Sequence, residues 1–151
     1  MVDASLRATI LETLLKLNRE FGAALIYITH DLTTAFQISD NIYILYKGSV
    51  VEAGDTDKAI NDPRHPYTQL LVRSIPRPDP KAKWGPPERA SALGLRASSG
   101  CKFAPRCPMA MQRCWDTMPP LFQGDVDRVA ACYLEDKHPH VMAKDMSSVL
   151  G

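Results

Sequence analysis

No stretch of this 151-residue chain approaches the ~18 consecutive apolar residues that a membrane-spanning helix requires. A basic segment followed by a hydrophobic core is equally absent from its start, so the expectation is a chain that neither crosses a membrane nor is secreted. Charge of one sign is missing too: 18 Lys and Arg stand against 17 Asp and Glu, a formal net charge of +1. With no Lys/Arg stripe, the phosphate contacts that dominate nucleic-acid affinity are not expected. The length fits one domain, but a segment from Pro76 to Gly100 dominated by Pro, Arg, Lys, Ser and Gly reads as a linker, leaving about half the chain for a main core.

What is present falls into short, well-punctuated elements. Leu6, Ile10, Leu14, Leu17 and Phe21 recur at three- and four-residue steps, predicting an amphipathic helix over 5–20 that Gly22 stops. Ala23 to Thr29 is short and apolar, consistent with a buried parallel strand, although periodicity alone also allows a helical core segment. Asp31 or Thr33 can cap a helix running to about Ser39. Ile42–Tyr46 and Ser49–Glu52 flank Lys47-Gly48 and predict a β-hairpin. Gly54-Asp55-Thr56 opens a short helix that ends before Pro63. In Pro63-Arg64-His65-Pro66-Tyr67 the prolines force an extended entry to a helix with Leu70, Leu71 and Ile75 on one side, a docking element rather than a chemical one. Trp84, inside the linker, is assigned no function.

Two constellations carry chemistry. His30 follows the apolar run at the point where a strand hands over to a helix, the place where open parallel sheets bind ligands. By position alone a histidine there is more often satisfied by a backbone carbonyl, yet imidazole is also a suitable donor to an anionic oxygen. The second is Cys101, Cys107, Cys114 and Cys132, spaced C-x5-C-x6-C-x17-C with Pro105 and Pro108 stiffening the first loop. Disulfides need an oxidising compartment, which the missing leader argues against. Zinc suits four thiolates but usually takes C-x2-C knuckles, absent here. An iron–sulfur cluster tolerates wider spacing, and unligated buried thiols are the remaining reading. His138 and His140 are substitute ligands in principle, but Glu135-Asp136-Lys137-His138 reads as a solvated tail.

The order of these segments resembles the final third of an ABC transporter ATPase domain. Val2-Asp3-Ala4-Ser5-Leu6-Arg7 is similar to the end of that family's D-loop, and Ile28-Thr29-His30-Asp31 to its H-loop. The stretch from His65-Pro66-Tyr67-Thr68 to Ser74-Ile75-Pro76 resembles the tail of oligopeptide and dipeptide transporter ATPases. So does Gly100-Cys101-Lys102-Phe103-Ala104-Pro105-Arg106-Cys107-Pro108, with Cys114 and Arg128-Val129-Ala130-Ala131-Cys132. The resemblance implies an α/β fold, the C-terminal part of a P-loop (RecA-like) ABC ATPase domain over 1–75. It also implies a linker over 76–100, a cysteine-rich module over 101–134 and a tail over 135–151.

It further implies that His30 contacts the γ-phosphate of ATP and helps orient the attacking water, and that Asp3 couples two nucleotide sites. The four cysteines would hold a 4Fe-4S cluster, as in some members, with zinc as the alternative. No G-x-x-x-x-G-K-[ST] loop, Q-loop or glycine-rich signature occurs, and Walker B would lie before Met1. Met1 is therefore expected to be an internal methionine of a longer protein, with ATP and Mg bound only in the complete subunit and no hydrolysis by this chain alone. Implied partners are a second ABC ATPase subunit and membrane permease subunits, on the cytoplasmic face of the cell membrane. A stand-alone metal-binding module and a regulatory partner of a transporter ATPase are the alternatives.

Overall fold

The computed structural model describes residues 4–75 and 99–150, which divide into two compact units, one up to Ser39 and the other from Asp40 onward. The expected linker, with Trp84, falls almost entirely outside the described residues, as does Asp3.

In the amino-terminal unit, α1 (Ala4–Phe21) forms where the three- and four-residue spacing predicts it. Gly22 ends it at φ 63, a left-handed conformation that glycine adopts without a Cβ penalty. Asn18 secures the exit by donating to the Ala23 carbonyl at 2.6 Å. Asp31 is the N-cap of α2 (Leu32–Ile38), accepting from the amides of Thr33 at 3.0 Å and Thr34 at 3.4 Å. Between the helices the expected buried strand is not formed: residues 23–29 carry no regular structure, and Ile26 and Ile28 are 89% and 92% exposed. A parallel strand exists only through the ladder of its neighbours, and among the described residues of this unit there is no other strand to pair with.

The second unit is built on a five-stranded sheet of order β1-β2-β4-β3-β5, with β1 (Asn41–Tyr46), β2 (Ser49–Asp55), β3 (Leu121–Asp125), β4 (Arg128–Ala130) and β5 (His140–Val141). Helix and sheet are mixed as expected, but every strand pair is antiparallel. Lys47 (φ 47) and Gly48 (φ 75) are both left-handed, the primed turn whose twist matches a two-residue hairpin. In β1 the alternation is strict: Ile42, Ile44 and Tyr46 are buried and Tyr43 and Leu45 exposed. β2 is buried from Val51 to Gly54 because β4, from beyond the linker, pairs along its other edge, with Ala53 opposite Val129. At Gly54 (φ 152) a side chain would collide with the Asp127 carbonyl, so this crossing of β2 and β4 requires glycine.

Ala53, Val129, Val149 and Leu150 form one core cluster. A second is aromatic: Tyr46, Tyr67 and Phe103 pack with ring centroids 4.6–5.4 Å apart. It joins the hairpin to α4 (Pro66–Arg73) and to the loop after Cys101. α3 (Thr56–Asn61), capped by Asp55 at 2.9 Å from the Lys58 amide, has its carboxyl end closed by Arg128. That guanidinium is 3% exposed and reaches the carbonyls of Lys58 (3.0 Å) and Asp62 (2.6 Å) and the carboxylates of Asp62 (3.3 Å) and Asp125 (3.2 Å). Such multiple pairing is what permits a buried charge.

Candidate functional site

His30 occupies a bend between the unpaired segment 23–29 and α2, with its side chain exposed. Its neighbour Asp31 is held firmly. Besides capping α2 it pairs with Arg7 of α1 at 3.3 Å, and its own amide donates to Thr29 Oγ1 at 3.0 Å. The Thr34 side-chain hydrogen bond, above all, keeps the Asp31 carboxyl below its usual range. Local chemistry thus fixes the backbone on the carboxyl side of His30 while its imidazole stays accessible to a ligand.

The four cysteines lie far apart in sequence and line one pocket. All are free; Cys101 is buried and the other three half-buried. The Cys101 amide donates to the Cys114 carbonyl at 2.7 Å. A side chain at Gly100 would strike that same carbonyl, so glycine permits the approach. Cys107 follows the 3-10 turn Ala104–Arg106, and Cys114 lies in α5 (Gln112–Asp116). Cys132 follows β4, pinned to the sheet by the Ala131 amide on the Val51 carbonyl at 2.8 Å.

Backbone N–H groups face each sulfur. Phe103 and Ala104 serve Cys101, Met109 serves Cys107, Leu134 serves Cys132, and Met111 donates to Cys114 Sγ at 3.4 Å. Burial pushes the Cys101 and Cys107 thiols up and the Cys132 thiol up to about 12, with mutual repulsion of the sulfurs adding to it. The Cys101, Cys107 and Cys132 thiols are therefore held protonated, and binding a metal through them must release protons. The remaining room is about 20 Å³, close to the ~10–15 Å³ that one water needs, so a larger group would spread the loops. Among the described residues no three His, Cys, Asp or Glu side chains are positioned to hold a single metal ion. His138, 3.6 Å from Glu135, and the exposed His140 are not among the pocket walls.

His65, left out of the sequence-derived site, is part of this wall. Only 1% exposed, it caps α4 through Nδ1, which accepts the Tyr67 amide at 3.0 Å. Burial lowers its pKa to about 4, leaving the ring neutral near pH 7. Behind it Glu52, fully buried, accepts the amides of Arg64 (3.0 Å) and His65 (2.9 Å). Burial raises the Glu52 pKa against the lowering effect of those amides. The only sequence signal for His65 was its place between two prolines, and nothing local identified Glu52.

Residues 51–114 match the family described as the oligopeptide/dipeptide transporter, C-terminal region, which takes in Cys101, Cys107 and Cys114. A probable peptide ABC transporter ATP-binding protein of Sinorhizobium fredii is 38% identical over 88% of this chain and 38% of its own length. The oligopeptide transport ATP-binding protein AppD of Bacillus subtilis is 33% identical over 90% of this chain and 42% of its own. For OppF of Salmonella typhimurium, also an oligopeptide transport ATP-binding protein, identity is 35% over 89% of this chain and 41% of its own. The chain thus spans about two fifths of the length of these curated relatives. Over most of its length, then, this chain is a relative of the ATP-binding proteins of oligopeptide and dipeptide ABC transporters, and it carries their C-terminal region.

Proposed function

We propose that this chain is the switch-and-tail portion of an ATP-hydrolysing subunit of a peptide importer. The observation that carries the reading is identity of 33–38% to three such ATP-binding proteins across 88–90% of the chain. His30 is the γ-phosphate contact, for which an exposed imidazole beside a firmly capped helix start is suited. Asp3 belongs to the crossing between two nucleotide sites. ATP with Mg supplies the free energy of transport in the complete subunit, whose partners are a second ATPase subunit and membrane permeases on the cytoplasmic face of the cell membrane. Among the described residues no helix is long and apolar enough to cross a membrane.

Because the sequence lacks a G-x-x-x-x-G-K-[ST] loop, the chain by itself does not hydrolyse ATP. The test is His30→Ala in a transporter ATPase that includes these residues. Hydrolysis is expected to be largely lost with ATP binding retained, whereas unchanged turnover removes His30 from the mechanism.

Cys101, Cys107, Cys114 and Cys132 hold a 4Fe-4S cluster, with zinc as the second reading. Support comes from the shared pocket, the amide donors to each sulfur and the largely apolar wall, features that suit a thiolate-bound cluster. Iron and acid-labile sulfide in equal amounts after anaerobic purification would bear the cluster out. Zinc alone would replace it.

A further inference from the structure

Cys101 and Cys114 are joined through the backbone as well as through the pocket. The Cys101 amide donates to the Cys114 carbonyl at 2.7 Å, so with an N–Cα bond of about 1.46 Å and a carbonyl oxygen about 2.4 Å from its own Cα, the two Cα atoms lie no more than about 6.6 Å apart. A disulfide spans Cα separations of about 4.4–6.8 Å. Both side chains line the same pocket, so the two sulfurs are turned to one side of that backbone bond. Each end is also held: the Cys101 carbonyl accepts the Ala104 amide at 3.0 Å, and the Met111 amide donates to Cys114 Sγ at 3.4 Å. Among the described residues no other two of the four cysteines share a backbone hydrogen bond. About 20 Å³ of room remains in the pocket, and drawing two sulfurs into a bond of about 2.05 Å asks for none of it. Cys101 is buried and Cys114 half-buried, so a dissolved oxidant reaches Cys114 first.

We propose that Cys101 and Cys114 form a reversible disulfide when a peroxide oxidises the chain, a redox-sensitive staple that closes the loop 101–114. The Cys114 sulfur attacks one peroxide oxygen: an S–O bond forms, the O–O bond breaks, and the thiol proton leaves with the departing oxygen as water. The Cys101 sulfur then attacks the sulfenic sulfur, an S–S bond replaces the S–O bond, and the Cys101 proton completes a second water. The two sulfurs give up two electrons and the peroxide takes them. The closed loop carries Phe103, which packs on Tyr46 and Tyr67, so oxidation fixes that contact. In a reducing compartment such a bond is transient rather than structural. The inference goes beyond the cluster reading and uses no metal.

Trypsin cuts after Lys102, Arg106, Arg113 and Arg128, which puts each cysteine in a peptide of its own. The full chain, reduced and stripped of metal with a chelator, is exposed to hydrogen peroxide with and without denaturant. Remaining thiols are then blocked and the linked peptides weighed. In the folded chain the Cys101–Cys114 link is expected about tenfold above any other pairing, and dithiothreitol should restore all the thiols. In denaturant the shorter loops Cys101–Cys107 and Cys107–Cys114 should take over, because the cost of closing a loop grows with its length. Cys101→Ser should leave Cys114 as a sulfenic acid that a cyclic dione traps.

A folded chain that favours another pair, or pairs the same way in denaturant, overturns the inference. So does peroxide treatment that leaves all four thiols free or carries them past the disulfide to sulfinic acid, and so does a Cys114 that stays reduced in Cys101→Ser. Uptake or refusal of iron and sulfide bears on the cluster reading alone, and neither result changes this test.

Discussion

The two units bury their apolar residues very differently. In the amino-terminal unit α2 is well capped and buries Thr34 and Ala35, yet Leu6, Ile10, Leu17 and Phe21 of α1 are exposed, only Leu11 of the described α1 side chains is buried, and Ile26 and Ile28 stand open. In the second unit the hairpin gains β4 along β2, and the resulting sheet buries Val51, Ala53, Val129 and even the ionisable Glu52 and Arg128. Local signals make helices, but only strand pairing and layer packing cover their faces. The amino-terminal unit has the first without the second.

The largest expected effect is at the join of the second unit. Phe103 is 1% exposed and touches Tyr46, Tyr67 and His65, so it ties the hairpin, α4 and the cysteine loop together. Phe103→Ala should cost about 3–5 kcal/mol in chemical unfolding. A loss below about 1 kcal/mol would mean that these elements do not depend on one another.

Next in size is a pH effect at His65. Its folded pKa of about 4 lies below the ordinary 6.5, so between those values the unfolded chain binds the proton first. Stability therefore falls as pH drops from about 6.5 to about 4, by roughly 2–3 kcal/mol in total. Glu52 acts with the opposite sign: its raised pKa means the folded state keeps its proton longer, so stability falls as pH rises from the ordinary carboxyl value through the raised one. Comparing the unsubstituted chain with His65→Asn isolates the histidine. If the difference between their unfolding free energies stays flat from pH 6.5 to 4, His65 is not buried as a neutral ring.

How much was legible in advance follows the same divide. α1, the Gly22 stop, the Asp31 cap, the Lys47-Gly48 turn, α3 and α4 each rest on residues within a few positions of one another, and all were readable. The pairing of β2 with β4 joins residues more than 70 positions apart and left no local trace. For the same reason the cysteine spacing identified four thiols, but not that His65, over 30 positions upstream, completes their wall. Ala23–Thr29 failed differently. Its composition is that of a strand, and composition cannot supply a neighbour to pair with.

A smaller effect is expected in the amino-terminal unit. Asp31→Ala removes an acceptor of two amides and the partner of Arg7, costing α2 about 1 kcal/mol, seen as lost helical signal. Loss of structure in the second unit's sheet as well, followed by strand amide exchange, would show that the units unfold together.

The smallest effect sharpens the comparison most. Ile28, 92% exposed, has almost no apolar area to lose on becoming polar, so Ile28→Ser should change unfolding free energy by less than about 0.5 kcal/mol. Buried in the middle of a parallel sheet, the same substitution would cost several times more, because both the isoleucine contacts and the dryness of the strand would be lost. Measured in this chain and in a transporter ATPase that includes these residues, it reads the cover over 23–29 directly. A small loss here and a large one there means the segment becomes a strand only when other polypeptide lies beside it. Equal small losses mean that it stays open in both, and the apolar run then has no structural role.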